Sequence, residues 1–209
     1  MDIDTLVARF PRLWHATYPQ GWEGIRRSGL RTTSDLLGAA GREGEAKVRR
    51  DEALVVTLPD GEATIRAQVM NRKDPGPEID GLTLTDWWAL TNGRSYLFAV
   101  REDLDKFVDG CLEAGIAQEV ITFDTRRLLG PVADQVEVTT VGTGAYPRTT
   151  GPSQGRGAFH PLADFTALWS RVKEVTVTVT VAVPENAVVS VVNRLPGQDP
   201  ARIFPAPRQ

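Results

Sequence analysis

The sequence predicts an α+β domain built on a largely antiparallel sheet, and three observations carry that prediction. Residues 174–183 alternate valine with threonine, the period-two pattern of a strand with two unlike faces. Short helical patterns and short apolar strands are mixed along the chain without regular βαβ alternation. No glycine-rich phosphate loop follows a strand, so neither a Rossmann nor a P-loop arrangement is supported. The 209 residues, 41% hydrophobic and 24% charged, suffice for one substantial core. They read as a single domain over residues 1–195 and a Pro-rich tail over 196–209.

The elements follow in order. Residues 4–10 form a short helix capped by Asp4, with Leu6, Val7 and Phe10 on one face and Pro11 ending it. Residues 13–15 start a strand. Residues 22–28 make a helix with Trp22 and Ile25 inward, and Gly29 stands where helices stop. Thr33 opens a segment packed through Leu36 and Leu37, and the highly charged stretch 42–50 is helical or mobile. Residues 55–58 form a strand, 59–62 a turn and 63–66 the way on; 71–77 is a loop. Residues 83–91 are a helix capped by Thr83 or Thr85, 94–100 a buried strand, 101–108 a helix, and 119–123 and 136–141 strands. Residues 142–157, rich in Gly, Pro, Ser and Thr, are a long surface loop. The five tryptophans are read as core.

Composition narrows the chemistry. A net charge of −3 gives non-specific phosphate coating no support. One cysteine, Cys111, excludes an internal disulfide and a multi-cysteine zinc site. Two histidines, His15 and His160, argue against a His-based metal site, so no metal is expected. Neither a transmembrane run nor a signal segment is found, and a cytoplasmic protein without membrane association is expected.

A set of short pieces in fixed order spans residues 13–194. They are Leu13-Trp14-His15, the segments 25–30, 63–68 and 82–92, then Tyr96-Leu97-Phe98 with Arg101, Phe123-Asp124-Thr125, the segment 155–162, and Val183-Pro184. In this order they resemble an uncharacterised bacterial family distantly similar to DarT-type nucleic-acid ADP-ribosyltransferase toxins. The resemblance implies an ADP-ribosyltransferase-like split antiparallel sheet with flanking helices. It also implies NAD as substrate, a nucleic-acid base as acceptor, and an antitoxin as partner.

Site residues follow from resemblance and chemistry together. The strand-end His15 would hold the ribose of NAD, since a neutral imidazole donates one hydrogen bond and accepts another. The bland alternative is a half-buried histidine satisfied by backbone. Thr17, two residues on, points the same way. An oxocarbenium-like transition state needs a carboxylate near the sugar. The family places one early in a late strand before Val-Pro, which selects Glu174; strict spacing selects Thr176, on the same strand face. Arg66 or Arg50 would supply the catalytic arginine. Arg101 would take phosphate, and Arg94 with Tyr96 would flank the nicotinamide pocket, although Tyr96 and Phe98 also read as core. Tyr146, Arg148 and Arg156 in the long loop would hold the acceptor. If Thr176 takes the carboxylate's place, the alternative is a catalytically inactive NAD- or nucleotide-binding module on the same fold. A third reading, a tRNA 2′-phosphotransferase, requires several convergent arginines that the sequence does not clearly offer.

Overall fold

The computed structural model describes residues 2–68, 78–79, 82–142 and 155–204. Helix α1 (Ile3–Arg9) is capped by Asp2, whose carboxylate accepts from the Thr5 amide at 3.0 Å. Asp4, the cap expected from sequence, lies inside the first turn and pairs with Arg126 at 2.7 Å. A cap must stand outside the helix, and this helix starts one residue earlier than expected. Strand β1 (Arg12–Thr17) follows Pro11, then α2 (Gly21–Ser28) and α3 (Thr33–Ala39), the latter capped by Thr32. The charged stretch folds only into a 3-10 turn, Glu43–Lys47.

Strands β2 (Leu54–Leu58) and β3 (Gly61–Ile65) form a hairpin, and β4 (Glu78–Ile79) pairs with β5 (Leu82–Thr83). Helix α4 (Leu84–Asn92) begins with a reciprocal capping box between Thr83 and Asp86. The chain continues through β6 (Ser95–Phe98), α5 (Arg101–Glu113), β7 (Gln118–Asp124) and α6 (Thr125–Leu129), which Asp124 caps. Strands β8 (Val136–Thr139), β9 (His160–Pro161), β10 (Glu174–Val177), β11 (Val188–Arg194) and β12 (Ala201–Phe204) complete it.

Eight strands make one sheet in the order β12-β11-β7-β1-β6-β10-β8-β9, and every neighbouring pair is antiparallel. The protein is thus a mixed α+β fold with a large antiparallel sheet. Strand β1 pairs with β7 along its whole length, Arg12↔Asp124 to Thr17↔Glu119. On its other side it meets β6 at a single position, Trp14↔Phe98. The sheet is two half-sheets joined at one pair, and the seam opens beside His15.

Packing follows the alternation of side chains. Leu13, Ile121, Phe123, Leu97, Val175 and Val177 share one face and form the main core with Leu6, Trp22, Leu128 and Leu129. On the opposite face, α5 covers the β1–β7 half through Leu104 and Val108, packed with Trp14 and Phe98. Trp87 and Trp88 of α4 pack with Phe159 and Tyr96 over the other half.

Two expectations change. The ladder of the Val/Thr strand stops at Val177, because Thr178 donates its amide to the Gln135 carbonyl at 3.3 Å and Val181 pairs with Leu30. One alternating run therefore serves two partners. In the expected tail, Ala201–Phe204 adds an edge strand to β11, and Phe204 packs on Trp22 with ring centroids 5.7 Å apart. Among the described residues, no helix is long and apolar enough to cross a membrane.

Candidate functional site

At the seam, where β1 leaves β6, the Tyr96 carbonyl accepts a hydrogen bond from His15 Nδ1 at 2.9 Å. A backbone carbonyl only accepts, so Nδ1 carries the proton in the neutral ring and Nε2 is an acceptor. No described residue partners Nε2. Burial holds the His15 pKa below its usual 6.5; the bond to Tyr96 opposes this, and the charge of Arg66 adds to it.

The sign of the pH effect follows. Below about pH 6.5 the unfolded chain takes a proton that the native ring resists, so stability present above that value is lost as pH falls through the lowered native pKa. Wild type should lose more of its denaturation midpoint between about pH 7.5 and about pH 5 than His15→Gln loses. Equal acid sensitivity of the two proteins would show that the ring is not held neutral.

His15 opens into a cavity of about 660 Å³, within the range of small-molecule sites. Thr17, Arg66, Arg94, Tyr96 and Glu174 line it as well. Glu174 is 9% exposed and starts β10 opposite Phe98, so its carboxylate is set at the seam from the half-sheet that His15 does not belong to. Thr176, the alternative position, does not line the cavity. It lies fully buried beneath Glu137 and donates to Glu137 Oε2 at 3.3 Å.

Arg66 stands just past β3, with its guanidinium carbon 4.8 Å from both the Tyr18 and the Phe107 ring centroids. One Nη donates to Gln118 Oε1 and the other lies 3.7 Å from Cys111 Sγ. These partners are neutral, and no described carboxylate pairs with it. The cavity therefore holds an uncompensated cation between two aromatic faces.

The other predicted arginines fare differently. Arg94 lines the cavity, but its fork is closed on Glu137 at 2.6 and 2.9 Å and stacks over Phe159. Breaking such a part-buried pair costs about 3–5 kcal/mol, so Arg94 is a wall and not a free hand for phosphate. Arg50 does not line the cavity. It ties the Arg66 carbonyl to Asn92, and burial lowers its pKa to about 10. Arg101 is exposed, pairs with Asp105 one turn on, and is also absent from the cavity wall. Tyr96 lines the cavity and donates its hydroxyl to the Thr91 carbonyl at 3.0 Å. Tyr146 and Arg148 lie outside the described residues. The backbone of Arg156 belongs to a 3-10 turn, Arg156–Ala158, and its side chain lies outside what is described.

Three features were missed in the sequence. Arg27 and Arg31 line the cavity, although neither stands out in the sequence as a site residue. Glu119, from β7, accepts from the amides of Gln20 and Trp22, each at 2.8 Å, and so caps α2 from 97–99 residues away. Ser95, 4% exposed, lines the cavity with a hydroxyl that has no partner among the described residues.

A family model described as a family of unknown function, DUF7002, matches residues 11–191. No curated protein and no solved structure matches the chain.

Proposed function

The chain belongs to the DUF7002 family of unknown function, and we propose that it is an NAD-dependent ADP-ribosyltransferase with an ADP-ribosyltransferase-like split sheet, acting on a nucleic-acid base or another acceptor. One observation carries the reading. His15 and Glu174, from opposite half-sheets and 159 residues apart in sequence, line one cavity with Tyr96 and the uncompensated Arg66. That set combines a hydroxyl-binding acceptor, a stacking ring, a phosphate-binding cation and a buried carboxylate.

In this reading His15 Nε2 accepts from a ribose hydroxyl and Arg66 faces the pyrophosphate. Tyr96 bounds the nicotinamide. Glu174 accepts from the 2-hydroxyl of the reacting ribose and stabilises positive charge at its anomeric carbon. The ribose–nicotinamide bond breaks with its electron pair on nicotinamide. The acceptor's lone pair forms the new bond, and its proton passes to Glu174. A nucleic-acid acceptor and an antitoxin partner belong to the same reading by analogy with the toxins.

A saturating ligand tests it. At about 100 times its Kd, a ligand that binds only the folded state adds about 2.7 kcal/mol, a rise of about 5–10 °C in Tm for a domain of this size. NAD or ADP-ribose should give that rise, and His15→Ala should abolish it while melting as one cooperative unit. No rise with millimolar NAD would sink the reading. A rise without nicotinamide release, whatever the acceptor, would leave a nucleotide-binding module.

A further inference from the structure

We propose that Arg31, with Arg27 beside it, forms a phosphate-binding arm on the α2–α3 wall of the cavity. This deepens the nucleotide reading of the same site and rests on it.

The arm is built before any ligand arrives. Gly29 has φ +84°, and Leu30 exchanges two backbone hydrogen bonds with Val181, at 2.8 and 3.0 Å. Two residues later Thr32 is 3% exposed and caps α3. Arg31 is thus held between two fixed points, which lowers the ordering cost of binding through it. Among the described residues its side chain makes one hydrogen bond, from Nη2 to the Asp35 carbonyl at 3.1 Å, and no described carboxylate pairs with it.

The pairing of the two arginines leaves Arg31 open to an anion. The carboxylate facing both arginines is Asp60, which pairs with Arg27 at 3.7 Å and takes a hydrogen bond from Ser28. That bond, then the charges of Arg27 and Arg31, hold Asp60 below its usual range. Asp35 offers Arg31 its backbone, and its side chain is engaged by Thr180. Arg27 is thus paired with Asp60, while Arg31 has no ion-pair partner among the described residues. Arg31 keeps open N–H groups of the planar fork that suits phosphate. Glu62, also on the cavity wall, is exposed. The phosphate is either the pyrophosphate bridge of a dinucleotide or a phosphate on its ribose.

Calorimetric titration of the full chain with pyrophosphate, ADP, NAD and NADP tests the arm. Arg31→Ala should weaken phosphate-bearing probes about ten-fold or more, with adenosine unaffected. Arg31→Gln, which keeps a donor for the Asp35 carbonyl, should weaken them similarly and exclude loss of fold as the cause. An equal loss for ADP and NAD assigns the bridge; a loss confined to NADP assigns a ribose phosphate. Affinities within two-fold of wild type for every probe, or no binding of any probe by wild type, would overturn the proposal. Nicotinamide release is a separate readout. Its absence with intact Arg31-dependent ADP binding rejects the transferase and keeps the arm.

Discussion

Glu174→Gln should leave a protein that binds NAD as wild type does but releases nicotinamide about 100-fold more slowly or worse. Glutamine keeps the length and much of the hydrogen-bonding shape of the side chain. It loses the negative charge, and that charge acts only when the ribose becomes cationic. The effect should therefore fall on kcat and leave NAD affinity near its wild-type value. Burial sharpens the contrast, because a carboxylate only 9% exposed acts with little solvent screening. The assay is nicotinamide release from NAD, with and without nucleic acid, beside a binding titration. Equal release by wild type and variant would remove Glu174 from the chemistry. Thr176→Val is the control: it breaks the contact with Glu137, off the cavity wall, and should spare NAD affinity.

Gly29→Ala should cost about 2–4 kcal/mol of stability, the largest effect expected for so small a change. Gly29 has φ +84° and ψ 173°, a region open essentially to glycine alone. A Cβ there would lie 2.6 Å from the Val181 carbonyl oxygen, which is itself paired with the Leu30 amide. The added methyl must strain the backbone and push apart the Leu30–Val181 bridge between the α2–α3 connection and the chain after β10. Denaturant unfolding reads the loss as a lower midpoint at unchanged slope. A change below about 0.5 kcal/mol would mean that the two backbones are not in close contact.

Much of this was legible because local chemistry decided it. Thr83 or Thr85 announces a helix start, and the structure selects Thr83; the apolar Leu13 beside His15 announces a strand with one polar exit. Glu174 comes from the family resemblance, which leaves Thr176 open as the alternative; of the two, Glu174 is the one that lines the cavity. What stayed hidden depends on distant partners. Arg94 reads as a free cation until β8 places Glu137 against it. Arg50 reads as part of a charged run until Asn92 and the Arg66 carbonyl engage it. The Val/Thr run gives no sign of where it changes partners, since Val177 and Val181 are alike in sequence and differ only in what lies opposite. The convergence of Arg27 and Arg31 on the cavity needed the turn at Gly29, and glycine alone does not reveal which way a chain turns.

The cap on α2 has a consequence for selectivity. The amino end of a helix ordinarily attracts anions through its free N–H groups and its partial positive charge. Here Glu119 already occupies that end, bound to the amides on either side of Gly21. The protein supplies its own resident anion, and an incoming phosphate is repelled from the position a helix would otherwise offer. In the proposed reading, anion recognition falls to the guanidinium groups of the cavity wall. Binding through such groups weakens as salt screens them. A site of this kind selects by the planar fork and by the number of phosphate oxygens within its reach.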